Sequence, residues 1–217
     1  MSIDHWNIKP KDLFSLSPII PVIVLEDLAD ALPLARALVE GGMKVLEITL
    51  RTPVAYKAIG LLRQELPDVL IGAGTVLNPS QLNNCIGAGA QFAISPGLTQ
   101  DLLKAGLNAE IAYVPAAASL SEMMEGFGLG YDHFKFFPAE YVGGLGMLKA
   151  IQGPLPQLQF CATGGINENN YLDYLSLANV ACVGGTWMLP KTLVQQKSWQ
   201  RITELALAAN REALSIE

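Results

Sequence analysis

An alternation of short strand-like runs with longer helical stretches predicts an α/β fold, a (β/α)8 TIM barrel with a short N-terminal helical arm. Three observations predict it. Runs rich in β-branched and aromatic residues recur eight times in the 217 residues. Their spacing of about 20 to 26 residues suits compact strand-loop-helix units, and no low-complexity linker interrupts them. An open, doubly wound sheet is the rival on pattern alone. A chain of this length supports one large core, so residues 1–217 are read as a single barrel domain, with 1–18 as the arm.

The expected strands are IIPVIVLE (19–26), VLEITLR (45–51), VLIGAGTV (69–76), FAISPG (92–97), IAYVPAA (111–117), HFKFFPAE (133–140), QLQFCATGG (157–165) and VACVGGTWM (180–188). Between them lie segments of helical period. In LADALPLARALVEGG, for example, Ala31, Leu34, Ala35 and Leu38 share a face and the glycine pair supplies a stop.

Composition narrows the function. The chain is 51% hydrophobic with 20 glycines, 13 prolines and a net charge of −6, and it has no basic run for nucleic acid or an anionic membrane. Any anionic ligand must be held by local donors. No apolar stretch approaches the roughly 18 residues of a membrane span, and the start, MSIDHWNIKPKD, lacks a signal-peptide pattern. A cytoplasmic enzyme is expected. Three cysteines, Cys85, Cys161 and Cys182, show no CxxC spacing and read as buried thiols. The two histidines, His5 and His133, are too few for a metal-dependent route, and no metal is expected.

Strand residues alternate faces, and in a barrel one face fills the interior. With Leu46, Ile48 and Leu50 under helices, Glu47, Thr49 and Arg51 point inward. With Phe134 and Phe136 outside, His133, Lys135 and Phe137 point inward too. Lys135 then faces Glu47 and Arg51. A buried ion pair of purely structural use is the alternative, but the polar residues gather near strand ends, where barrels place their sites. Thr75, Thr163 and the turn of Ser95, Pro96 and Gly97 lie at equivalent points. The pairs in TGGIN (Gly164, Gly165) and VGGTW (Gly184, Gly185) allow close backbone approach, with helix N-termini expected after them for a phosphate, Thr186 as a further donor and Asn167 as a helix cap.

These residues suggest a reaction. A lysine among aromatic side chains and near a second cation has its neutral form favoured and can attack a carbonyl to form a Schiff base. The protonated imine is an electron sink, so a carbon–carbon bond one atom beyond the carbonyl carbon can break without a metal. Glu47 would move the protons and Arg51 would clamp a carboxylate. The expected substrate is a phosphorylated 2-keto acid.

The runs VLEITLRTP, IGAGTVLNPSQL, FAISPGLT, FKFFPAE and CATGGI…NYLDYL, in this order over nearly the whole chain, closely resemble the bacterial 2-keto-3-deoxy-6-phosphogluconate (KDPG) aldolase family. The resemblance implies a cofactor-free, homotrimeric class I aldolase of the Entner–Doudoroff pathway that yields pyruvate and glyceraldehyde 3-phosphate. It also implies a second activity on 4-hydroxy-2-oxoglutarate, giving pyruvate and glyoxylate. By the family's pattern Lys135 forms the Schiff base, Glu47 is the acid–base group, and Arg51 and Thr75 hold the pyruvate carboxylate. Pro96 and Phe137 wall the methyl, Thr163 meets a substrate hydroxyl, and Gly164, Gly165 and Thr186 take the phosphate. The chain departs from the pattern in VPAAASLSE after the fifth strand and at Ala162, where close relatives carry proline. Three other readings remain: an aldolase for the galactonate epimer, which Arg51 and Thr163 disfavour, a phosphate-binding barrel isomerase or epimerase using Glu47 as base, and a non-catalytic sugar-phosphate binder.

Overall fold

The computed structural model describes residues 5–216. The part of the expected arm before residue 5 therefore lies outside the described residues. Parallel strands run β1 (Ile19–Ile23), β2 (Val45–Thr49), β3 (Leu70–Gly74), β4 (Phe92–Ile94), β5 (Ala112–Val114), β6 (Ala116–Ala117), β7 (His133–Phe136), β8 (Gln159–Thr163) and β9 (Val180–Gly185). They hydrogen-bond in the order β5-β4-β3-β2-β1-β9-β8-β7-β6.

The nine segments make eight barrel strands, because β5 and β6 are one strand broken at Pro115. A proline has no N–H for a ladder. The first half pairs with β4 through Ala93↔Tyr113, and the second with β7 through Ala116↔Lys135. Lys135 donates its N–H to the Pro115 carbonyl across the break (2.9 Å). The two ends of the sheet thus meet at one proline, which favours the barrel over the open sheet.

Eight helices follow the barrel strands: α2 (Ala31–Glu40), α3 (Ala55–Glu65), α4 (Pro79–Gly87), α5 (Gln100–Leu107), α6 (Leu120–Gly128), α7 (Gly144–Ile151), α8 (Tyr171–Leu175) and α10 (Trp199–Ala213), with a short α9 (Lys191–Gln195) before the last. Local sequence explains their ends. Asn78 and Thr99 cap α4 and α5, and Ser119 with Glu122 forms a reciprocal capping box at α6. At the far end of α2, Gly42 takes φ +91°, and the buried face is Ala31, Leu34, Ala35, Ala37 and Leu38, which contains the expected set.

The arm carries α1 (Pro10–Ser15) and closes the N-terminal end of the barrel. Trp6 is buried and its indole N–H donates to the Gly106 carbonyl (3.2 Å). Phe14 meets the ring of His133 edge-on at 5.3 Å, and His133 Nδ1 lies 2.6 Å from the Asp132 carboxylate. The arm therefore seals the end opposite the strand C-termini, leaving that other end for chemistry. No helix among the described residues is long and apolar enough to cross a membrane.

Candidate active site

Lys135 and Glu47 are 88 residues apart in sequence and meet inside the barrel. Lys135 Nζ lies 3.1 Å from Glu47 Oε1 and 3.4 Å from Oε2. Their side chains are 6% and 1% exposed, so the pair is desolvated. Strand geometry puts them there: Glu47 alternates with Leu46 and Ile48, and Lys135 with Phe134 and Phe136, all of which are fully buried. The Phe137 ring centroid lies 5.4 Å from Nζ. Lys135 faces the Glu47 carboxylate as expected, whereas Arg51, expected beside it as a second cation, is an exposed residue.

Gly74 makes room for this pair. A Cβ there would run into the Glu47 carboxylate, with Cγ at 2.6 Å and Cδ at 2.7 Å. On β8, the strand next to β7, Cys161 is in register with Lys135 and with Cys182, and both thiols are buried as expected. The Cys161 thiol is held below the usual range by a hydrogen bond from Cys182 and by the Lys135 ammonium, while burial raises Cys182 well above it. Cys161 Sγ is 3.7 Å from Thr163 Oγ1. Thr163, at the end of β8, stands against Gly184, where a Cβ would strike its hydroxyl. Thr49 fills the interior by donating to the Ile23 carbonyl (2.9 Å).

Arg51 corrects a second expectation. The strand stops at Thr49, and Arg51 is an exposed turn residue before Pro53, so it lies at the rim and not in the interior. Its Nε donates to Thr75 Oγ1 at 3.4 Å. Thr75 is left-handed with φ +60°, a conformation that costs a non-glycine residue about 1–3 kcal/mol and clusters at functional sites. Pro96 and Phe137 are half-buried at the same end. Ser95, beside Pro96, is buried, donates to the Gly97 carbonyl (2.6 Å) and shares a 2.7 Å hydrogen bond with Tyr113.

The glycine pairs divide. Gly164 and Gly165 are consecutive left-handed residues, φ +101° and +81°, and such turns form a concavity of N–H groups suited to anions. The N–H groups of Gly165 and Ile166 have no acceptor among the described residues. Gly184 and Gly185 belong to β9 and are buried, with the side-chain space of Gly185 taken by the Trp187 ring. Thr186 is exposed just beyond. Neither pair runs directly into a helix N-terminus, since α8 begins at Tyr171 and α9 at Lys191. Asn167 does not cap α8; its side chain donates to the Gly165 carbonyl (3.0 Å) and accepts from the Asn169 N–H (2.9 Å).

Sequence reasoning did not find the brace behind this turn. The Glu140 N–H donates to the Gly164 carbonyl (3.0 Å), and the Tyr174 hydroxyl donates to the Glu140 carboxylate in a short hydrogen bond. Burial and then Glu140 push the Tyr174 hydroxyl up in pKa. The turn after Lys135 is thereby tied to the glycine turn and to α8. Gly72 and Gly74, two inward glycines in one strand, were the signal that a large side chain must enter from a neighbour. Among the described residues no group of three or more His, Cys, Asp or Glu is placed to hold a metal.

Residues 11–205 match the family model "KDPG and KHG aldolase". The chain belongs to the KDPG and KHG aldolase family. It is 52% identical to the 2-dehydro-3-deoxy-phosphogluconate aldolase of Pseudoalteromonas atlantica over 212 residues, 98% of this chain and 99% of that one. It is 48% identical to the KHG/KDPG aldolase of Escherichia coli, covering 94% and 96% of the two chains. The crystal structure of a KDPG aldolase from Legionella pneumophila, with pyruvate captured as a covalent carbinolamine intermediate, superimposes with a TM-score of 0.93. That chain is 57% identical, with 94% of this chain and 100% of that one aligned. Such relatives of the KDPG and KHG aldolase family share the barrel over almost its full length.

Proposed function

We propose that the chain is a class I aldolase that cleaves KDPG to pyruvate and glyceraldehyde 3-phosphate and also splits 4-hydroxy-2-oxoglutarate. The observation that carries this reading is the desolvated Lys135–Glu47 pair, 3.1 Å apart at the open end of the barrel. The carbinolamine captured in the Legionella relative is the chemistry such a pair serves.

The steps follow from the geometry. Lys135 Nζ, having passed a proton to Glu47, attacks C2 of the keto acid to form the carbinolamine. Glu47 then protonates the departing hydroxyl, and water leaves to give the protonated imine. As the C3–C4 bond breaks, its electron pair moves into the iminium to form an enamine, and the C4 hydroxyl gives its proton to Glu47 as it becomes the aldehyde. Reprotonation at C3 and hydrolysis release pyruvate and restore Lys135. Arg51 and the Thr75 hydroxyl and backbone receive the carboxylate, while Pro96 and Phe137 wall the three-carbon fragment. Thr163 meets the C4 hydroxyl. Gly164, Gly165 and Thr186 take the phosphate, and Gly184 and Gly185 keep the neighbouring backbone low enough for it to approach.

The direct test is pyruvate release from KDPG followed through a coupled dehydrogenase. Turnover is expected, and its absence would sink the reading. The galactonate epimer separates the nearest alternative. Thr163 can read the C4 configuration, because a donor satisfies one epimer and is left unpaired by the other. Thr163→Val is expected to erode the preference for the gluconate form by about tenfold; an unchanged ratio of kcat/KM between the epimers would remove Thr163 from that role.

A single domain over residues 1–217, a cytoplasmic setting and a homotrimer go with this reading. One hydrophobic core runs from Trp6 to Ala213 without a break. Leu120, Met124 and Phe127 lie exposed along one face of α6 as surface for a partner subunit. Sedimentation of a monomer alone would count against the trimer.

A further inference from the structure

The phosphate end of the site has an aromatic residue beside it that the family's motif does not assign. Tyr141 lies in the single 3-10 turn Ala139–Val142 that follows Lys135 and Pro138. Its N–H donates to the Pro138 carbonyl (3.0 Å). It is 80% exposed, more than any other large apolar residue described.

What the ring adjoins is specific. The Cβ that Gly165 lacks would sit 3.7 Å from Tyr141 Cε2. Cε2 is bonded to the carbon that carries the hydroxyl, so it is the polar end of the ring that faces the glycine turn. That hydroxyl has no hydrogen-bond partner among the described residues, and neither do the N–H groups of Gly165 and Ile166. The ring edge next to this hydroxyl thus adjoins a turn with two free N–H groups, in a chain of net charge −6 where an anion must be held by local groups. Glu140 lies nearer still, its Cβ and Cγ each 2.6 Å from the position of the Cβ that Gly165 lacks, with its carboxylate taken up by the Tyr174 hydroxyl.

We propose that Tyr141 is a specificity-determining residue, whose hydroxyl donates to a phosphate oxygen and whose ring walls the phosphate end of the substrate. It favours phosphorylated 2-keto acids over short unphosphorylated ones. This rests on the aldolase reading above and adds to it the group that selects the far end of the substrate.

The test is the steady-state kinetics of the full chain, wild type and Tyr141→Phe, with KDPG and with 4-hydroxy-2-oxoglutarate, which has no phosphate. Tyr141→Phe removes only the hydroxyl. It is expected to raise KM for KDPG about three- to tenfold with kcat little changed, and to leave both constants for 4-hydroxy-2-oxoglutarate as they were. Tyr141→Leu, which also removes the wall, is expected to raise KM for KDPG further. A flat KM for KDPG in Tyr141→Phe, or an equal rise with both substrates, overturns the inference while wild-type turnover leaves the aldolase reading standing. A wild-type chain that cleaves neither substrate overturns both.

Discussion

Lys135→Met is expected to lower kcat/KM for KDPG on the order of 10⁴-fold, because the nucleophile is lost and only binding and orientation remain. The same substitution leaves Glu47, whose side chain is 1% exposed, without its partner. Removing one member of a buried pair costs about 3–5 kcal/mol. At about 3 °C per kcal/mol for a chain of this size, Tm should fall by roughly 10 °C. The double variant Lys135→Met with Glu47→Leu should recover most of that fall while staying inactive, since apolar replacement of both partners removes the desolvation cost. Stability and activity then separate at one site. A Lys135→Met protein that turns over within tenfold of wild type would contradict the assignment, and a double variant no more stable than the single one would contradict the account of the pair.

Gly74→Ala is expected to have the next largest effect without removing a reacting group. The new methyl would occupy the place of the Glu47 carboxylate and push it from Lys135. Loss of positioned acid–base help costs about 10²- to 10³-fold in kcat. Overpacking costs about 1–3 kcal/mol, offset in part by the lower chain entropy of alanine. KM should change far less than kcat, because Arg51 and the glycine turn are elsewhere. Wild-type kcat in Gly74→Ala would show that Glu47 has room to spare, and the pair's geometry would lose its claimed importance.

Much of this was legible in the sequence for physical reasons that can be named. Period-two alternation put Lys135 and Glu47 on inward faces, and apolar neighbours such as Ile48 and Phe136 made that polarity unambiguous. The eight-unit rhythm gave the barrel. Arg51 was misplaced because the strand pattern was extended through it, whereas the strand ends at Thr49, the last ladder bond runs from the Leu50 N–H to the Gly74 carbonyl, and Pro53 has no N–H to carry it on. The break at Pro115 was visible as a proline but not as the point where strand partners change. For the glycine pairs, identical dipeptides behave differently because Gly184 and Gly185 continue a strand while Gly164 and Gly165 leave one. The left-handed Thr75 and the Glu140–Tyr174 brace depend on contacts between distant segments, and nothing local encodes them.

The Schiff base is the centre of the account, and reductive trapping tests it most directly. The chain is incubated with pyruvate and borohydride, its intact mass is taken, and the modified peptide is mapped. One reduced pyruvyl group on Lys135, absent from Lys135→Met, is the expected result. A folded sample that gains no mass, or that carries the adduct on a different lysine, would contradict the assignment of Lys135 as the nucleophile.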